Sequence, residues 1–118
     1  MRVNVAGATG WADVEAVRRE LGRLPADSTI IHGDAAGADA LGGQVAAELR
    51  LPVEAYRKEQ EDFRRFRRGA WKGLNERMFA SGADLVLAFH ADLASSRGTR
   101  HLVDLARKAR VPVLVLAR

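Results

Sequence analysis

No cysteine occurs in the chain, which excludes a disulfide framework, a thiolate nucleophile and a cysteine-ligated metal. Long apolar runs are missing too. The longest are about six residues, against the roughly 20 that a membrane-spanning helix requires, so no membrane partner is expected. Lysine is scarce, three residues against sixteen arginines, and none completes G-x-x-x-x-G-K-[ST]. ATP hydrolysis of the Walker type is therefore not expected. Neither HExxH nor another clustered histidine–carboxylate spacing appears, so no metal site is expected. The opening Met1-Arg2-Val3-Asn4-Val5 reads as a strand rather than a signal peptide, which makes the cytoplasm the expected location.

What is present suits one α/β domain over residues 1–118, close to the common size of an independent fold. The formal charge of +4 favours phosphate-bearing partners without choosing among them. The arginine bias, with many alanines, fits a GC-rich genome equally well. Apolar runs of strand length occur at Arg2–Ala6, Ser28–His32, Val53–Tyr56, Asp84–Phe89 and Val111–Leu116. Their branched residues, with little polar alternation, suit strands buried on both faces of a parallel sheet. Pro25, Pro52 and Pro112 fall at or just before strand starts, where a missing N–H is tolerated.

Helical spacing joins Val14, Val17 and Leu21, then Ala38, Leu41, Val45 and Leu49. A third set runs Phe63, Phe66, Ala70, Leu74 and Met78, and a fourth is Leu102, Leu105, Ala106 and Ala109. The alternation predicts a Rossmann-like, doubly wound parallel sheet of about five strands with helices on both faces. With strand order 3-2-1-4-5, a ligand crevice lies beyond the carboxyl ends of the first and fourth strands.

Three glycine-bearing turns then converge on that crevice: Ala6-Gly7-Ala8-Thr9-Gly10, His32-Gly33-Asp34-Ala35-Ala36-Gly37-Ala38-Asp39, and Ser95-Ser96-Arg97-Gly98-Thr99. A strand that ends at glycine and opens a helix presents free N–H groups and the positive end of a dipole, which suits a phosphate. The first turn resembles half of a dinucleotide fingerprint, and Trp11 after it can stack on a base or cap the core. In the second, His32 reads best as a core histidine, Asp39 as a helix cap, and Asp34 as an acceptor for ribose hydroxyls. The third, with two hydroxyls, the Arg97 guanidinium, Gly98 and Thr99, is the strongest phosphate candidate. Asn75 and Arg77, near the fourth strand, form a polar pair able to reach a ligand.

The third helix also carries Arg64, Arg65, Arg67, Arg68 and Lys72. Glu61 is spaced to pair with Arg64 and Arg65, and Phe63 and Phe66 fall on the stripe read as buried. A solvated, internally paired face is the simpler reading, and a nucleic-acid groove the sharper one.

On these residues the chain resembles the SLOG superfamily, which contains the DprA/Smf proteins and the Lonely Guy phosphoribohydrolases. It is most similar to the small stand-alone YspA-like (YpsA-related) branch. The resemblance rests on Gly7 with Trp11, on His32 through Asp39, on Asn75 with Met78, and on Phe89-His90 through Ser96-Arg97-Gly98-Thr99. It implies binding of a nucleotide or nucleotide-derived ligand in that crevice. With the turns read above, the candidate ligand residues are Gly7, Thr9, Trp11, Gly33, Asp34, Gly37, Asp39, Asn75, Arg77, Ser96, Arg97, Gly98 and Thr99. A sensor or accessory role follows, with no further cofactor specified and a homo-oligomer left open. Thr9 stands near where an arginine commonly follows the first turn's glycine, and Leu74 where one commonly precedes the asparagine. Two alternatives remain, a nucleoside 5′-monophosphate phosphoribohydrolase and a single-stranded nucleic-acid binder. The Lonely Guy pattern G-T-x-x-E is broken here, because Leu102 occupies the glutamate position.

Overall fold

The computed structural model describes residues 1–117. Strands β1 (Arg2–Gly7), β2 (Thr29–His32), β3 (Val53–Ala55), β4 (Leu85–Phe89) and β5 (Val113–Leu116) form one sheet in the order β3-β2-β1-β4-β5. All the pairings are parallel, as the strand–helix alternation predicts. β1 and β3 start where their apolar runs start, and the other three strands begin a residue or two inside theirs. Ser28 and Asp84 stand just outside β2 and β4, and Val111-Pro112 leads into β5. The carbonyls of Pro52 and Pro112 still accept from Ile30 and Val86, so each proline joins the ladder through the one group it retains.

Helices α1 (Val14–Gly22) and α2 (Ala38–Glu48) cover one face, packing Val17, Leu21 and Val45 on Val3, Val5 and Ile30. Helices α4 (Ala70–Ala80) and α5 (Gly98–Lys108) cover the other. There Leu74 and Met78 lie on Ile31, while Leu102 and Ala106 lie on Ala6 and Val86. The two-residue period of the strands divides these sets: Val3 and Val5 face α1 and α2, while Ala6 faces α5. Burial on both faces holds for β1, β2 and β4. At the sheet edges it fails, with Val53 of β3 39% and Leu114 of β5 44% exposed.

The helix expected from Phe63 to Met78 is not continuous. Helix α3 (Gln60–Phe66) ends at Arg67, whose φ of 53° lies in the left-handed region, and a single 3-10 turn over Arg67–Gly69 leads into α4. The cause is an ion pair. Asp62, 2% exposed, takes the Arg77 guanidinium at 2.5 Å and 3.2 Å and sits in the notch beside Gly73. In one straight helix these two residues would stand about 22 Å apart. Only a fold-back of α3 against α4 joins them, and that fold-back leaves Phe63 52% exposed instead of buried. Apolar periodicity is blind to such a break, since the stripe stays in phase on both sides.

Candidate functional site

A cavity of about 320 Å³ opens at the carboxyl ends of β1 and β4, where the winding direction of the sheet reverses. Its floor is Ala6, Gly7, Ala8 and Thr9, leaving the end of β1. Gly7 has φ of 155°, and a Cβ there would overlap the Phe89 carbonyl and the Ala38 methyl. That close approach lets the Ala8 N–H reach the Phe89 carbonyl at 2.9 Å, and lets the Ala8 carbonyl accept from Ala38 at 3.1 Å. β1, β4 and the start of α2 are thereby stitched together beneath the cavity.

The first turn does not open a helix directly. α1 begins at Val14, and the Asp13 carboxylate accepts from the Ala16 N–H at 3.1 Å, so this N-terminus is already capped. Trp11 turns away from the cavity. Its ring centroid lies 5.6 Å from that of Phe89 in the core, and its indole N–H donates to the Asp13 carbonyl.

The second turn supplies an acidic wall. Asp34 accepts from both the Lys58 ammonium at 2.8 Å and the Lys58 backbone N–H at 3.0 Å. Burial raises the Asp34 carboxyl, and these Lys58 bonds outweigh it, so the net shift is downward. Asp39 is 8% exposed at the start of α2. Burial, reinforced by the nearby Asp34 charge, pushes its carboxyl up to about 6 against the pull of backbone N–H groups at Ala35 and Gly33. Two carboxylates on one wall thus hold unequal proton affinities. Gly33 and Gly37 stand behind this wall rather than in it. A Cβ on Gly33 would come within 2.8 Å of the Asp39 carboxylate, and Gly37, with φ of 71°, lies against the carbonyls of Ala8 and Thr9.

The third turn brings Ser96, Gly98 and Thr99 to the opposite wall at the N-terminus of α5. A 3-10 turn over Leu93–Ser95 separates it from β4. The Ser96 hydroxyl accepts from the Thr99 N–H at 3.1 Å, and no acidic residue lies in the first turn of α5. No protein atom lies within 4 Å of where a Cβ on Gly98 would stand. The approach to this end of the dipole is open. Asn75, inside α4, secures it by donating to the Gly98 carbonyl at 3.0 Å.

Gly7, Thr9, Asp34, Asp39, Asn75, Ser96, Gly98 and Thr99 therefore meet around one cavity. Trp11, Gly33, Gly37, Arg77 and Arg97 do not line it. Arg77 is spent on Asp62, Glu59 and the Arg57 carbonyl, and Arg97 faces a neighbouring cleft. Lys58, Trp71 and His90 line the cavity without having been singled out as ligand residues. Lys58 and His90 each follow closely on a strand end, the signal that picked the other turns. Trp71 follows no strand end, but it stands three and four residues before Leu74 and Asn75 in α4, and that helical spacing puts it on the face that lines the cavity.

The first half of the chain, residues 1–63, matches the family described as YspA, cpYpsA-related SLOG. The chain belongs to this SLOG family. The Gene 61 protein of Mycobacterium phage D29 is 34% identical over 128 aligned positions, which cover 96% of this chain and 94% of that protein. No solved structure matches the chain. The family match contains the floor and the acidic wall of the cavity. The α5 turn lies beyond it, within the span shared with the phage protein. Among the described residues, no helix is long and apolar enough to cross a membrane.

Proposed function

We propose that this SLOG protein binds a nucleotide or nucleotide-derived ligand in the β1/β4 crevice and serves as a sensor or accessory protein. The observation that carries the reading is a single cavity with two chemically opposite walls. The α5 N-terminus offers backbone N–H groups, the Ser96 and Thr99 hydroxyls and an open approach at Gly98, which suits a phosphate. Facing it, Asp34 and Asp39 accept hydrogen bonds, which suits ribose hydroxyls. Trp71, Leu74 and Met78 give the apolar wall a base requires. Family membership is consistent with this ligand class.

A thermal-shift panel of nucleoside monophosphates and diphosphates, nicotinamide dinucleotides and ADP-ribose tests the reading. A ligand at 100 times its dissociation constant adds about 2.7 kcal/mol of stability. No shift with any member at millimolar concentration overturns it.

One observation supports a second reading, N-glycosidic hydrolysis. Asp39, raised to about 6, and Asp34, held lower by Lys58, form a pair of carboxyls with separated proton affinities inside the cavity. Such a pair can divide acid and base roles. Against it stands Leu102, 1% exposed in the core beneath α5, where it offers the cavity no carboxylate.

A further inference from the structure

Beyond Trp71 lies a second, open cleft of about 620 Å³ between the start of α4 and the first turns of α5. Its charge is one-sided. Arg68, Lys72, Arg97 and Arg100 line it, with Asp104 as the single carboxylate. Among the described residues none of these four cations forms an ion pair. Their neighbours in the chain behave differently: Arg64 pairs with Glu61 at 3.0 Å, Arg65 with Glu76 at 3.4 Å and Arg77 with Asp62 at 2.5 Å. Arg67 and, at the far end of α5, Arg107 and Lys108 are unpaired as well, but they line neither cavity; what marks the cleft is four unpaired cations on one concave surface.

The cleft is joined to the nucleotide cavity at two points. Trp71 lines both, with the Lys72 ammonium 5.5 Å from its ring centroid. The α5 N-terminus also serves both, since Ser96 and Gly98 face the first cavity while Arg97 between them faces the second. A phosphate seated on the α5 N-terminus would stand beside Arg97, which lines the cleft together with Arg68, Lys72 and Arg100. The acidic wall at Asp34 and Asp39 lies at the opposite end.

We propose that this cleft is a second anion subsite, and that the ligand is a nucleotide extended past its first phosphate by a further phosphoryl group, through a phosphoanhydride or a phosphodiester. This rests on the nucleotide reading above and deepens it. The two linkages share one chemistry, a negatively charged phosphoryl oxygen met by guanidinium and ammonium donors.

The test is titration calorimetry at low salt with the 5′-monophosphate, the 5′-diphosphate and the 5′-phosphorylated dinucleotide of adenine, guanine, cytosine and uracil. The native protein is compared with the Arg68→Ala/Arg100→Ala double variant, two exposed side chains outside the first cavity. One extended ligand is expected to bind about tenfold tighter than its monophosphate, a gain that weakens with added salt. The double variant should lose that gain and keep the monophosphate affinity. The diphosphate and the dinucleotide tell which linkage is accepted. A monophosphate that binds with no gain on extension overturns this inference and leaves the nucleotide reading standing, as does a gain that persists in the variant. Absence of binding by every compound overturns both.

Discussion

The side-chain amide of Asn75 donates to the Gly98 carbonyl at 3.0 Å, fastening α4 to the first turn of α5. The same Nδ2 lies 3.2 Å from Nδ1 of His101, whose proton affinity is lowered chiefly by burial, so a neutral imidazole accepts there. Asn75→Ala removes both bonds from a buried position. It is expected to lower stability by about 1–2 kcal/mol in urea denaturation and to weaken nucleotide binding in the folded fraction. Unchanged affinity would separate the phosphate from α5.

Gly98 and Thr99 bear on the same wall more directly. Gly98 has open space around its Cβ position and valine has the higher helix propensity, so Gly98→Val is expected to fold without a propensity cost while filling the phosphate approach. Thr99→Ala removes one hydroxyl donor from the cavity lining. Both variants should hold their far-ultraviolet dichroism and lose affinity, Gly98→Val the more. If calorimetry gives native affinity for both, the phosphate sits elsewhere.

The strand–helix alternation was legible in the sequence because it follows from local signals, and the usual order of a doubly wound sheet then located the crevice. Strand-length apolar runs gave the alternation, and glycine, Asp34 and Asp39 marked the strand ends. What escaped depends on contacts between distant residues. Asp62 and Arg77 set the break between α3 and α4, and nothing in the stripe from Phe63 to Met78 reports a pairing across fifteen positions. That break commits Arg77 to Asp62 and so withdraws it from the cavity. Trp11 misled for a simpler reason: a tryptophan beside a glycine turn serves a core as readily as a base, and here Phe89 claims it.

Asp39 predicts a pH signature. Its carboxyl is raised to about 6 in the folded protein, above the ordinary aspartate value. Between that ordinary value and about 6 the folded state therefore holds more protons than the unfolded one. Stability contributed at Asp39 falls as pH rises through this window and is level above it, a loss of about 2–3 kcal/mol for a group this buried. Asp39→Asn removes the charge that must be buried at high pH. The variant should gain melting temperature relative to the native protein at pH 7.5 and show little gain at pH 4. Equal offsets at both pH values would count against a raised carboxyl.

Nucleic acid is expected to bind weakly. Arg64 and Arg65 are held by Glu61 and Glu76, which reduces the charge that α3 offers a phosphate backbone. Phe63 is the exposed ring of α3, while Arg65 covers the Phe66 ring 4.6 Å from its centroid. Affinity for single-stranded oligonucleotides should fall steeply with salt by counterion release, and fall again in the Arg64→Ala/Arg65→Ala/Arg68→Ala variant. Tight binding that resists salt would reverse this expectation and favour the nucleic-acid reading over the small-ligand one.

Glycosidic cleavage is the sharpest division between the two readings of the cavity. It proceeds through an oxocarbenium-like state that a nearby carboxylate stabilises. The position three residues past Thr99 is Leu102, buried against Ala6 and Val86, and it can neither carry charge nor move a proton. Asp104 is two residues on, about 200° around the helix, and it faces the cationic cleft rather than the β1/β4 cavity. Catalysis would therefore fall to Asp34 and Asp39. Asp34 is committed to two hydrogen bonds from Lys58, and Asp39 receives the Ala35 N–H at 3.4 Å. Those bonds suit carboxylates that hold hydroxyls in place. Incubation with nucleoside monophosphates is expected to release no free base above the uncatalysed rate, while the same compounds stabilise the protein. Chromatographic detection of base at a rate proportional to protein, lost in Asp34→Asn or Asp39→Asn, would establish the hydrolase instead.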